Sequence, residues 1–311
     1  MKKEILTILS CPECKKSLSR KGNHLGCKNG HKFPIKKGVP IFAKLDKELL
    51  EESRAWENWE KGVSKKALKA YKKNMAIFKK LGFWEESAEA YKKIPSNDSW
   101  TVLDLGCGNG KSTNFLKGRN VIGIDLSENE MIKAKNKYRK KYYFVADATK
   151  LPFKSNSFDL IVAVNLLHHL ADKTDEGVKE CYRILKKGGM LLTVDPNLSN
   201  PIGFLTRGLF KLLRLKRRAP TFPQFALQDD EYQFTKKTYS KVFRKSPFKK
   251  FKIYGHRIER ITFFASILIP QIANLPFFEK VVIFVNRVGD WVVRQKSLER
   301  LCYFWKAEAV K

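Results

Sequence analysis

Acidic residues are in short supply in this chain. Against 62 lysines and arginines it carries only 31 aspartates and glutamates, a formal net charge of +31. A surplus of +15 falls within residues 196–311 alone. This balance suits a polyanionic partner, either RNA or an anionic membrane surface. A lysine-rich proteome explains a diffuse excess, but not one concentrated in the last third. Cysteine is scarce as well, six in 311 residues. With no apolar leader-like stretch at the N-terminus, the expectation is a reducing, cytoplasmic compartment and no disulfide framework. Long apolar runs are nearly missing. Only residues 261–278 give eighteen positions without charge, the lower limit for a membrane span. Pro270, Pro276, Gln271, Asn274, Thr262 and Ser266 interrupt that run, which predicts two shorter apolar helices rather than a span.

What is present is a dense set of motifs between residues 101 and 195. Val102 to Gly110 reads V-L-D-L-G-C-G-N-G, an apolar run closing on Asp104 and followed by glycines at 106, 108 and 110. Alternating glycines let the backbone turn sharply and approach a ligand without a Cβ in the way. Lys111 to Leu116 is predicted to open a helix with free N–H groups. The spacing G-x-G-x-G is one residue shorter than the dinucleotide fingerprint, and Asp104 would repel a pyrophosphate. Both features argue against a nicotinamide-dependent dehydrogenase.

Further apolar runs end in acids: Val121 to Asp125, and Tyr142 to Asp147. Phe158 to Val164 reads as a fourth strand entering the loop Asn165-Leu166-Leu167-His168-His169. Arg183 to Gly189 turns into a fifth strand, Met190 to Val194. Strands alternating with helical stretches predict a parallel sheet covered on both faces.

These residues resemble the class I S-adenosylmethionine (SAM) dependent methyltransferases. They are most similar to the methyltransferase type 11, ubiquinone/menaquinone-type branch, with its "F-D-h-h … L-H-H-h … L-K-K-G-G" pattern. The resemblance covers 101–195 and implies a Rossmann-like seven-stranded α/β sheet. It also implies a cofactor site: Asp104, Gly106, Cys107, Gly108 and Gly110 around the methionyl part, and Asp125 with Leu126 at the ribose. Met131 would pack near the nucleoside, Asp147 and Ala148 would read the adenine, and Asn165 would lie beside donor and acceptor. A hydroxyl acceptor needs a base. His168 is the first candidate and His169 the second, with Asn165 assisting and Asp195 and Asn197 as other acceptor contacts.

Near the N-terminus, Cys11-x2-Cys14-x12-Cys27-x3-His31 has the ligand spacing of a tetrahedral zinc site. Four protein ligands leave zinc no open position, so the predicted role is structural. About 40 residues are near the size at which a metal is needed to hold a fold. The segment resembles the zinc site of large-subunit rRNA guanine-N1 methyltransferases, and also small ribbon proteins that activate other methyltransferases.

The predicted organisation is a zinc ribbon over 1–45, a helical linker over 46–98 and a methyltransferase domain over 99–311. That domain carries insertions at 196–235 and 256–300. Within the first insertion, 201–218 reads as a basic amphipathic helix, fit for a membrane surface or for a lid. Both insertions leave parallel strands at the carboxyl edge, where ligands bind. This favours a lipid-like or amphipathic small-molecule acceptor and peripheral contact with the inner membrane face. The alternatives are an RNA base methyltransferase gripping phosphates with ribbon and basic surface, and a non-catalytic SAM-binding scaffold.

Overall fold

The computed structural model describes residues 3–43, 94–197, 200–201, 234–256 and 298–311 except 303, with single positions between 280 and 295. The expected linker helix, the basic segment beyond Pro201 and the apolar stretch 261–278 lie outside the described residues.

The N-terminal part opens with a short helix, α1 (Lys3–Ile8), followed by β1 (Leu18–Lys21), β2 (His24–Cys27), β3 (Lys32–Lys36) and β4 (Val39–Pro40). Together the strands form an antiparallel sheet in sequence order. Leu18, Leu25, Phe33 and Val39 of these strands are buried, as is Phe42 just after β4.

The larger sheet contains β5 (Thr101–Leu105), β6 (Asn120–Asp125), β7 (Tyr142–Val145), β8 (Phe158–Val164), β9 (Leu185–Pro196), β10 (Lys250–His256) and β11 (Phe304–Val310). Its order is β10-β11-β9-β8-β5-β6-β7. Strands β5 to β9 run parallel, while β11 is antiparallel to both β9 and β10. All five residues of β5 are buried, as a central strand covered on both faces requires. Helices α2 (Glu128–Lys137), α3 (Thr174–Ile184) and α4 (Lys236–Lys245) pack on this sheet. This is the Rossmann-like seven-stranded architecture that the sequence predicts.

One element differs. The helix expected from Lys111 shrinks to a single 3-10 turn, Thr113–Phe115, and Leu116 is already extended at ψ 137°. Chain length explains this. Nine residues, 111–119, return from the carboxyl end of β5 to the amino end of β6, along a strand roughly 17–20 Å long. A nine-residue helix reaches only about 13 Å, so part of the segment must extend.

The ribbon caps the exposed edge of the large sheet at β7. The Phe42 N–H donates to the Val145 carbonyl at 2.8 Å, Ser10 N–H to Pro152 O at 3.0 Å, and Lys154 N–H to Ile8 O at 2.8 Å. Phe42 stacks between Phe33 at 5.3 Å and Phe144 at 5.9 Å. Ion pairs Lys15–Glu180 (3.1 Å) and Lys36–Glu128 (2.8 Å) cross the same junction. An edge that would otherwise offer unpaired backbone groups is thereby covered. Behind it, Val39 of the ribbon shares one apolar cluster with Cys107, Met131, Ala134 and Tyr143.

Candidate active site and metal centre

The carboxyl ends of β5, β6, β7, β8 and β9 gather Asp104, Asp125, Asp147, Asn165 and Asp195 along one edge of the sheet. At the end of β5 the chain turns through Gly106 at φ +73°, Gly108 at +50° and Gly110 at +73°. A Cβ on Gly106 would meet Leu166 at 2.8 Å, so the loop after β8 closes against this turn. At Gly108 nothing lies within 4 Å of that position, and the turn is open toward the edge. The Gly106 and Cys107 N–H groups both donate to Ile124 O, at 2.9 and 3.0 Å.

Asp125 joins the turn to β6. Its carboxylate accepts from Gly108 N–H at 2.9 Å and from Ser127 N–H at 3.0 Å. Burial pushes its carboxyl above the usual range, against these two backbone donors. Asp104 is fully buried beneath the turn and accepts from the Thr113 hydroxyl at 2.6 Å. Its carboxylate thus braces the turn against the following 3-10 segment. Met131 is likewise fully buried, its sulfur 3.8 Å from Cys107 Sγ behind the turn. Burial, with Asp104 and Asp125 nearby, raises the Cys107 thiol well above its ordinary value.

Leu126 is half-buried beside Asp125. Val145 pairs in register with Asp125, so Asp147 and Ala148 lie just beyond it. Asp147 is held by the backbone N–H and the hydroxyl of Thr149, both at 2.8 Å. Asn165 is exposed and left-handed at φ +54°.

A second constellation lies under the ends of β8 and β9. His168 Nδ1 is 2.9 Å from Asp195 Oδ1, and the His168 backbone N–H donates to the same oxygen at 3.2 Å. Asp195 is fully buried and His168 is 6% exposed. A carboxylate facing Nδ1 fixes the tautomer with Nδ1 protonated, leaving Nε2 as the acceptor. The His169 ring centroid lies 4.0 Å from that of His168. Burial and its neighbour bring His169 down to about 4, so it is neutral near pH 7. Sequence reasoning missed two members of this group. Tyr239 of α4 donates to Asp195 Oδ2 at 3.0 Å, and Thr193 Oγ1 lies 2.5 Å from the Tyr239 hydroxyl. Asn197 turns elsewhere, donating to Cys302 O at 2.8 Å.

In the ribbon, one ligand atom from each of Cys11, Cys14, Cys27 and His31 lies within 4.8 Å of all the others. Cys14 and Cys27 sulfurs are 3.6 Å apart, and His31 Nδ1 is 3.5 Å from Cys11 Sγ and 3.3 Å from Cys27 Sγ. A tetrahedron with metal–sulfur bonds of about 2.3 Å has edges of ~3.8 Å. The donor set and spacing fit a tetrahedral divalent ion.

At the joint of ribbon and large sheet lies a cavity of about 640 Å³, lined by Arg20, Arg119, Lys135, Arg139, Lys140 and Tyr142 among others, with no acidic residue among the described residues of its lining.

Comparison with known proteins bears on the domain and its fold. A methyltransferase-domain family model matches residues 103–193. An uncharacterised protein of Methanocaldococcus jannaschii is 30% identical over 166 residues, covering 53% of this chain and 70% of that protein. A Bacillus subtilis protein named for 23S rRNA (guanine-N1) methylation is 25% identical over 211 residues, 61% of this chain and 64% of the relative. Among solved structures, a SAM-dependent methyltransferase of Thermotoga maritima superposes with a TM-score of 0.50 at 18% identity, covering 78% of this chain and 96% of that one. At that identity the likeness is one of fold. The chain spans less than two thirds of the Bacillus relative's length.

Proposed function

We propose that the chain, whose residues 103–193 match a methyltransferase-domain model, is a class I SAM-dependent methyltransferase that methylates an oxygen atom of an amphipathic small molecule with His168 as base. The observation that carries this reading is the buried His168–Asp195 pair. A bare methyl donor site needs no such pair, whereas a hydroxyl acceptor needs a group to take its proton. SAM, when bound, supplies a sulfonium-activated methyl group that leaves behind a neutral thioether.

Asp125 takes the ribose hydroxyls, and the open face of the turn at Gly106, Gly108 and Gly110 receives the methionyl part, with Asp104 and Cys107 beneath. Leu126 supports the nucleoside side, Met131 packs behind the turn against Cys107, Asp147 and Ala148 face the adenine, and Asn165 stands at the donor–acceptor boundary. His168 Nε2 accepts the acceptor's proton as the oxygen–carbon bond forms, and Asp195 stabilises the resulting imidazolium. The amphipathic acceptor is argued from sequence, in which residues 202–218, apolar and basic, follow the end of β9. Phe234, ahead of α4, bridges to Asn197. The ribbon's four ligands hold one structural zinc.

The membrane-surface setting rests on segments outside the described residues. Among described residues no helix is long and apolar enough to cross a membrane. A second reading, RNA as acceptor, draws on the basic cavity at the ribbon joint, whose five cations match a phosphate backbone.

The test is label transfer from methyl-labelled SAM into cell extract by the wild type and His168→Gln. The expected result is a rate loss of about 10²- to 10⁴-fold, with SAM affinity unchanged. Equal rates would remove His168 from the role of base.

A further inference from the structure

We propose that Tyr239 is a positioning residue for methyl transfer, holding Asp195 so that the carboxylate orients His168 while sharing its negative charge with a second donor. The catalytic consequence rests on the reading of His168 as base; the coupling of Tyr239 to His168 through Asp195 stands on the geometry alone.

The four side chains form one buried chain of contacts. Asp195 Oδ1 faces His168 Nδ1 at 2.9 Å, and Oδ2 accepts from the Tyr239 hydroxyl at 3.0 Å. Thr193 Oγ1 lies 2.5 Å from that hydroxyl. Thr193 and Asp195 are two residues apart on β9, so their side chains share one face of the strand. Asp195, Thr193 and Tyr239 are fully buried. A carboxylate withdrawn from water is tolerated only when donors satisfy it, and here three do: the His168 ring, the His168 backbone and the Tyr239 phenol. Burial, with Asp195 adjacent, raises the phenol well above its ordinary value. It therefore stays protonated and can only donate to Asp195, which leaves Thr193 to donate to the phenol oxygen.

Local structure aims Tyr239 at this spot. Thr235 caps α4, its hydroxyl accepting from Thr238 N–H while Thr238 reaches back to the Thr235 N–H. The Tyr239 N–H donates to Thr235 O at 2.9 Å. Phe234 and Phe243 hold the ring from two sides, at 4.8 and 5.5 Å between centroids. Both Tyr239 and this helix lie beyond residues 103–193, the stretch matched by the family model.

Among the described residues, the titratable groups facing His168 are Asp195 from β9, with Tyr239 behind it from α4, and His169 on its own loop. His169, held down to about 4 by burial and by His168, adds no charge near neutrality. Taking away the phenol hydroxyl leaves Asp195 with the imidazole as its one side-chain donor among the described residues. The undivided negative charge then favours imidazolium.

Tyr239→Phe keeps the ring and its packing and removes one oxygen. The expected result is an upward move of about one pH unit in the His168 imidazole titration followed by NMR. The acid limb of the methyl-transfer rate should move equally, with kcat reduced and SAM affinity unchanged. A tyrosine of purely structural value would lower the melting temperature and leave both midpoints in place. Midpoints unmoved in Tyr239→Phe would overturn the proposal. If that variant fails to fold, Thr193→Val, which withdraws the phenol's own donor, should move the midpoint the same way by a smaller amount; no movement there overturns it equally. A shifted NMR midpoint together with undiminished transfer by His168→Gln would keep the coupling and discard the base.

Discussion

Replacing Asp125 by asparagine changes one oxygen to an amide nitrogen and nothing in volume. In the native turn the two carboxylate oxygens accept from Gly108 N–H at 2.9 Å and Ser127 N–H at 3.0 Å. An amide has one acceptor, so its NH2 must face one of these donors, and one ribose hydroxyl loses its ionised partner. A hydrogen bond to a charged group contributes about 1.5–3 kcal/mol, which converts to a roughly 10- to 150-fold loss of SAM affinity. The fold itself should hardly suffer. Burial raises this carboxyl above its usual range despite two backbone donors, so the neutral amide relieves a desolvation cost, and the melting temperature without SAM should stay within about 3 °C. Titration calorimetry with SAM and thermal melts of the free protein read the two quantities separately. The pH dependence adds a check. The ionised acceptor is lost as pH falls through the raised value, so wild-type SAM affinity should fall on the acid side above the ordinary carboxylate range. That limb should vanish in Asp125→Asn. Affinity within threefold of wild type would refute Asp125 as the ribose acid.

Metal analysis of the purified chain should give one zinc per molecule, and Cys14→Ser should release it and lower the melting temperature; a metal-free protein of unchanged stability would exclude the structural site. Phe42→Ala removes a ring packed between Phe33 and Phe144 and should cost about 3–5 kcal/mol. This would appear as a lower melting temperature and faster proteolysis between ribbon and large sheet. Unchanged protection would mean the ribbon is held by other contacts.

Much of the site is legible in sequence because its markers are local. Glycines at 106, 108 and 110 stand at positive φ, a conformation that singles out glycine whatever surrounds it. Asp125 ends its strand as the apolar run ahead of it predicts, and Asp147 lies two residues beyond the end of β7. The four members of the N-terminal Cys/His cluster stand out by their spacing, and the structure brings them within 4.8 Å of one another. Long-range features are not legible in this way. Tyr239 lies 44 residues from Asp195 in the chain, and its one local sign is the T-K-K-T helix cap before it, which predicts a helix but not its target. The seating of Phe42 on β7 depends on Phe144, a hundred residues away, and no short pattern reports that. The helix after the glycine turn fails for a metric reason: nine residues cannot both coil and span the return to β6. Met131 reads as a nucleoside contact by position, yet its sulfur faces Cys107 behind the turn, where the ribbon's Val39 completes the packing.

The most direct measurement is where the methyl group goes. Purified protein incubated with methyl-labelled SAM and total cell extract, then partitioned between organic and aqueous phases, separates the acceptor classes in one step. Label in the organic phase, stable as a methyl ether, is the result expected for oxygen methylation of an amphipathic small molecule. RNase-sensitive label in the aqueous phase would contradict that acceptor and favour RNA, and label in neither phase would contradict it as well.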